Sequence, residues 1–448
     1  MNTPIRDFVK KYAESDSVRL HMPGHKGKNF LGFEKYDITE IDGADVLYSA
    51  KGIIKESEKN ASELFGAYRT FYSAEGSSLC IKAMLSMVSA GRHIKNNRPF
   101  VLAARNVHKA FIYACALLDI DVDWIYSKEN THLCCCNITA EDVRIKLNEC
   151  DILPSAVYVT SPDYLGNLLD IKALSDVCDE FSVPLLVDNA HGAYLHFLQK
   201  SLHPIDQGAF MCCDSAHKTL PVLTGGAYLH LSEKAKELVD IAENTLSVFA
   251  STSPSYLVLQ SLDLCNSYLE DGYRNKLKNT VIRLNKLKDE LTQKGYKILP
   301  SEPLKLVLDA VSSNLATESV IDHLRRYKIE VEFYDDEYIV MMFTCENDEN
   351  DFKAVSDAFL SLEHKAECIN SKKAFNAENG KNVMSIRTAI FSNKELINVD
   401  DAVGRICASP TVSCPPAVPI VISGERITEN AVMLMKRYKI DFIEVVKE

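Results

Sequence analysis

Apolar residues along this chain gather in short runs that end on a polar residue and lead into a helix-period stretch. Such runs enter YSAEGSSLCIKAMLSMV (72–88), open FVLAARNVHKAFIYACALL (100–118), and recur in AVYVT (156–160), PLLVD (184–188) and FMCCD (210–214). Strand–helix–strand alternation of this kind predicts an α/β fold with a mainly parallel central sheet flanked by helices. In such a sheet the working residues lie in loops at the carboxyl ends of the strands. The turn at Gly76, His108, Ser161, Asp188 and Lys218 all follow strand-like runs, and that agreement is what the pattern alone shows most firmly.

The flanking pattern is different. Residues 3–14 read as a short helix with Thr3 as N-cap and Pro4 in its first turn. HMPGHKGK (21–28) is a basic, glycine-punctuated loop, and DITEIDGADVLY (37–48) is acid-rich. NKLKNTVIRLNKLKDELTQKG (275–295) is an amphipathic helix stopped by Gly295. Residues 304–362 then read β-α-β-β-α, a compact smaller unit whose boundary falls near 296–303. A polar connector follows over 363–380, and a proline-rich apolar stretch (406–428) precedes a last helix and a short strand. The expected division is an arm and linker at 1–60, a large domain at 61–295, a small α/β domain at 296–365 and a C-terminal region at 366–448.

Composition narrows the function. With 448 residues the chain exceeds one ordinary core. A net charge of −12 argues against a general nucleic-acid binder, which needs basic patches. The opening residues hold no apolar signal segment, and no run reaches the roughly eighteen residues of a membrane span. Fourteen cysteines then read as reduced thiols of a cytoplasmic protein. Cys134-Cys135-Cys136 and Cys212-Cys213 lack zinc-site spacing and read as small apolar fillers; no metal site is expected.

The candidate chemistry centres on Lys218. It stands in DSAHKTLP (214–221), between an apolar run and a Gly-Gly turn followed by a second run. A lysine desolvated there is available as a free amine, able to form a Schiff base with an aldehyde. About thirty residues upstream, Asp188 ends another strand, where a carboxylate can pair with a pyridinium nitrogen. For either segment alone, a surface lysine or a turn aspartate is the commoner explanation. Together in this order they point to a pyridoxal-phosphate (PLP) enzyme of fold type I. Glu75-Gly76-Ser77-Ser78 at a helix start suits a phosphate, a weak signal by itself.

Several stretches together give the chain a resemblance over nearly its whole length. HMPGHKG (21–27), RNVHKAF (105–111), VTSPDYLG (159–166), VDNAHGAYL (187–195), DSAHKTLP (214–221), STSPSY (251–256) and PPAVPIVISGERIT (415–428) resemble, in order, the short-form bacterial Orn/Lys/Arg decarboxylases. The resemblance implies PLP bound by Lys218 as the Schiff-base lysine and by Asp188 at the ring nitrogen. It implies His108 and Ala190 on the two ring faces, with Ser161 and His191 also at the cofactor. Gly76, Ser77, Ser78, Ser215 and His217 become the phosphate cradle, joined by Thr252 or Ser253 from a neighbouring subunit. Glu425 becomes the acid that reads a distal ammonium or guanidinium, with capping of the following helix as its ordinary alternative role. Arg387 is a candidate carboxylate holder, or a surface or interface pair. A homodimer with shared active sites, acting on arginine, lysine or ornithine, follows from the same resemblance.

Three stretches depart from the family pattern. Asn189 stands where the family has glutamate, and Glu75 stands in place of asparagine, where its charge should repel anions. Cys414-Pro415-Pro416-Ala417 replaces Tyr-Pro-Pro-Gly. A different PLP reaction, such as an aminotransferase or Cα–Cβ lyase, and a non-catalytic binding protein remain the competing readings, because fold type alone does not fix chemistry.

Overall fold

The computed structural model describes residues 1–89, 94–95, 98–127, 132–362, 380–410, 412 and 416–447. Nearly all of the expected connector, together with Cys414 and Pro415, lies outside them. The fold is α/β, with a large, mostly parallel central sheet flanked by helices. By contacts the chain divides into two units. The first comprises Met1–His93, Glu149–Val159 and Asp170–Asn275; the second comprises Ile94–Asn148, Thr160–Leu169 and Lys276–Glu448.

In the first unit the strands lie in the order Arg69–Ser73, Ala227–Leu231, Met211–Asp214, Leu185–Asp188 and Val157–Thr160. Leu185–Asp188 and Met211–Asp214 are parallel, with Asp188 opposite Cys213, so both strands end together. Ala227–Leu231 returns antiparallel after the Gly225-Gly226 turn. Its neighbour Arg69–Ser73 also pairs with it antiparallel. Every residue of the Leu185–Asp188 and Met211–Asp214 strands is buried, which is why they read as continuous apolar runs. Helices Ser77–Ser89 and Ile171–Glu180 follow strands as expected.

The second unit holds the parallel pair Arg98–Ala104 and Asp121–Ile125. It also holds an antiparallel sheet in the order Phe333–Tyr334, Tyr338–Met342, Lys305–Asp309, Lys297–Leu299. The last of these strands falls where a bare boundary was expected. Helices Tyr273–Gln293, Thr317–Arg326 and Glu349–Ser361 supply the apolar face that packs on this sheet. At the carboxyl end, Lys394–Asn398 pairs antiparallel with Phe442–Val446 beside helix Glu429–Arg437. Among the described residues the buried cysteines form no disulfide. Burial pushes the thiol pKa upward at Cys134, Cys135, Cys136, Cys212 and Cys213, in keeping with inert fillers.

The opening helix, Pro4–Ala13, is anchored by a carboxylate rather than by its cap. Thr3 makes no side-chain cap bond; instead the N–H of Arg6 donates to Asp263 Oδ2 at 2.9 Å. Ser57 Oγ donates to the other oxygen, Asp263 Oδ1, at 2.5 Å. Burial pushes the Asp263 pKa up to about 6. The native state therefore holds this proton more tightly than the unfolded chain. Its contribution to stability is fully present below the ordinary carboxylate range and is lost as pH rises through about 6, worth up to about 3 kcal/mol. Asp263→Asn should remove that dependence. Melting temperatures of the two proteins between about pH 4 and about pH 8 should diverge in the variant's favour as pH rises; a constant difference contradicts the assignment.

Candidate active site

At the end of the Leu185–Asp188 strand, Asp188 is only 2% exposed. Its Oδ2 accepts from the Tyr158 hydroxyl at 3.3 Å and its Oδ1 from the Ala190 N–H at 3.2 Å. Burial raises its pKa, and the positive charge of Lys218 is the largest influence pulling it back down. Lys218 lies in the short helix Ala216–Thr219, directly after the parallel partner strand, with Nζ 3.2 Å from His191 Nε2. Thus Asp188, Ala190, His191 and Lys218 are brought together within one unit. Tyr158 joins them without having been singled out in the sequence. Its hydroxyl is on a strand residue that reads as one more apolar position.

The phosphate-type turn stands in the same unit. Gly76 has φ +72°, a backbone region that disfavours side chains, and its N–H donates to Gly225 O at 2.7 Å. A Cβ on Gly225 would meet Ala74 O at 2.9 Å, so the two turns touch only because glycine stands there. Ser215 Oγ donates to Ser77 Oγ at 2.8 Å, joining the lysine loop to the turn. Helix Ser77–Ser89 starts here, and its first N–H groups, including that of Ser78, have no acceptor inside the helix. Thr252 and Ser253 are exposed, and they lie in the same chain's 250–255 segment: Ser251 N–H donates to Glu75 Oε1 at 2.7 Å.

His217 ties the lysine loop to its neighbouring turn. Its Nδ1 lies 2.9 Å from Gly226 O, and a carbonyl only accepts, so Nδ1 carries the proton. Burial, reinforced by the Lys218 charge, holds its pKa below the ordinary histidine value. Its bond pins the lysine loop to the Gly225-Gly226 turn.

Beneath the lysine loop lies a cluster that the sequence did not disclose. Asp214, fully buried, accepts from Asn189 Nδ2 at 2.7 Å on Oδ1. Its Oδ2 lies 3.0 Å from His203 Nε2 and 3.3 Å from His230 Nε2. The Asp214 carboxylate is held well below the usual range by the histidines against the cost of burial. This explains Asn189: glutamate there would set a second carboxylate against Asp214. The three donors resemble a metal set, but His203 Nδ1 lacks the acceptor that orients a ligating histidine. Asp214 is hydrogen-bonded to Asn189 and His203, with His230 beside it as an electrostatic neighbour.

The remaining candidates belong to the second unit. His108 caps helix Lys109–Leu118, its Nδ1 accepting from Ala110 N–H at 3.1 Å, which leaves the ring proton on Nε2. Ser161 Oγ accepts from Leu169 N–H at 3.0 Å. Glu425, 3% exposed, is not the helix cap, a role Thr428 fills through Ala431 N–H. Glu425 Oε2 accepts from Ile422 N–H at 2.8 Å. Burial raises its pKa and Arg105 opposes that rise. Arg105 is itself committed to Pro419 O at 2.9 Å and Ile420 O at 3.0 Å.

Of the two roles expected for Arg387, the structure shows a pairing. Its Nη1 donates to Ala116 O at 2.9 Å and Leu117 O at 3.1 Å, the last carbonyls of helix Lys109–Leu118. A guanidinium at a helix carboxyl end satisfies open acceptors and meets the dipole's negative pole. Its Nη1 is engaged there.

With this geometry in view, the comparisons with known proteins identify the class. The lysine decarboxylase of Francisella novicida shares the fold with a TM-score of 0.83 at 16% identity, over 99% of this chain and 81% of that one. The constitutive lysine decarboxylase of E. coli matches at 0.79 and 17%, over 100% and 82%. A family model described as Orn/Lys/Arg decarboxylase, major domain, matches residues 3–342, and that family's C-terminal domain matches 370–447. The arginine decarboxylase of Bacillus subtilis (strain 168) is 31% identical over 459 residues, covering 96% of this chain and 92% of the relative. That of Halalkalibacterium halodurans is 30% identical over 464 residues, covering 96% and 91%. The chain belongs to the Orn/Lys/Arg decarboxylase family, and it is an amino-acid decarboxylase.

If Arg387 serves the helix end, Arg387→Ala should cost stability of about 1 kcal/mol and leave the Michaelis constant for amino acid unchanged. Denaturant unfolding and steady-state kinetics on the same preparation check this. A raised Michaelis constant at unchanged stability would restore the carboxylate role.

Proposed function

We propose that the chain releases CO2 from a basic L-amino acid with the help of PLP, and that arginine, giving agmatine, is the preferred substrate. The observation that carries the reading is Asp188, buried at a strand end within electrostatic reach of Lys218. The side chains fit the cofactor. The described hydrogen-bond donors to Asp188 are a hydroxyl, a backbone N–H and the Cys213 thiol at 3.8 Å, all uncharged. A buried carboxylate so placed is suited to a cationic ring N–H. The Ser77 and Ser215 hydroxyls, with the open N–H groups of the helix start, suit a phosphate. Once bound, PLP supplies an electron sink for the bond broken at Cα.

The chain's own groups do the rest. Lys218, when unprotonated, is the nucleophilic amine. His191 Nε2 is within reach to take or return its proton. Asp188 keeps a proton on the ring nitrogen, with Tyr158 orienting the carboxylate. The family motif assigns His108 to stacking and Ser161 to the cofactor. Glu425 reads the far end of the substrate, since Arg105 compensates its charge only in part. The choice of arginine rests on the names of the relatives in B. subtilis and H. halodurans. A homodimer is proposed on the resemblance. Among the described residues no helix is long and apolar enough to cross a membrane.

Parallel assays of CO2 release from arginine, lysine and ornithine test the reading. Arginine should give CO2 and agmatine in equal amounts without any keto acid. A requirement for keto acid, or no release from all three, overturns it. Asp188→Asn should keep the cofactor and lose on the order of a hundredfold in turnover, about 3 kcal/mol. Glu425→Gln should raise the Michaelis constant for arginine more than it weakens PLP binding, because an amide cannot pair bidentately with guanidinium.

A further inference from the structure

Glu75 is the departure from the family pattern that the reaction above does not use. The turn holding it is locked without its side chain. Glu75 N–H donates to Ser73 Oγ at 3.1 Å, Ser73 Oγ donates to Gly76 O at 3.0 Å, and Gly76 N–H donates to Gly225 O. The carboxylate reaches outward and accepts the Ser251 N–H at 2.7 Å. Ser251 Oγ accepts in turn from Ser253 N–H at 3.2 Å, and Ser255 caps helix Tyr256–Glu270. One exposed carboxylate thus ties the 251–253 segment to the turn. Glu75 also puts an acidic side chain directly before Gly76-Ser77, whose donors are proposed for a phosphate dianion. A neutral residue there could keep the tie without the repulsion.

We propose that Glu75 sets how tightly this chain keeps its phosphorylated cofactor: its Oε1 holds the 251–253 segment against the phosphate turn, and its charge weakens phosphate binding there. The inference rests on the PLP reading and concerns cofactor retention, not the chemical step. Charge and tie separate by substitution. Glu75→Gln keeps an acceptor for Ser251 N–H and removes the charge. Glu75→Ala removes both. Pyridoxal, which has no phosphate, reports everything except the charge effect.

The test is the dissociation constants of PLP and of pyridoxal for the cofactor-stripped full chain, followed by absorbance, with melting temperature as a check on folding. In Glu75→Gln, PLP should bind about fivefold tighter while pyridoxal changes less than twofold, the size expected of a partly screened like charge. Glu75→Ala should bind PLP several-fold more weakly than Glu75→Gln, because the segment is no longer held. An unchanged ratio of the two constants in Glu75→Gln overturns the proposal, as does equal tightening for pyridoxal. If the parent chain binds neither compound, the PLP reading itself fails, and this inference with it.

Discussion

A carboxylate taken out of water is costly unless an opposite charge meets it. Asp188 is in that position, at the end of a fully buried strand, and much of the first unit is arranged around it. The parallel register sets Asp188 opposite Cys213, so the next strand ends at the same level and delivers its loop beside the carboxylate. Lys218 comes from that loop, and its charge opposes the burial cost. One level further along, Asn189 and Asp214 repeat the adjacency as an amide and a carboxylate. A second buried acid is tolerated there because two histidines share it.

The loop that carries Lys218 is tied at three places. Ser215 bonds to Ser77, His217 bonds to Gly226, and Lys218 meets His191. Each tie leads to a different strand end or turn. A lysine held this way keeps its position while the residue stays half-buried, which suits an amine that must exchange partners. The second unit offers a separate resource in Glu425, a buried acid whose counter-charge, Arg105, is committed to backbone carbonyls.

Much of this was legible before any coordinates. The buried strands read as apolar runs because both faces are covered, and the polar residues that end them stand out by contrast. Helix Tyr273–Gln293 was legible from its period and from Gly295. The three-residue strand Lys297–Leu299 was not, since it is too short to show alternation. His230 and Tyr158 escaped because their partners, Thr70 and Asp188, stand far from them in sequence, and only the fold brings them together. The same holds for Arg387 and His217. Their residue types suggested anion binding, but the backbone carbonyls that each one bonds, at a helix end for Arg387 and at the Gly225-Gly226 turn for His217, could not be read from the sequence. Motif spacing identified where chemistry gathers; it did not reveal which nitrogen holds a proton.

The central claim is that Lys218 is the amine that takes the cofactor. Reducing the PLP-loaded protein with borohydride and mapping the pyridoxyl group by peptide mass spectrometry tests it most directly. The account predicts one label per chain, on the peptide holding Lys218. A label on another lysine, or one scattered over surface lysines, would contradict it.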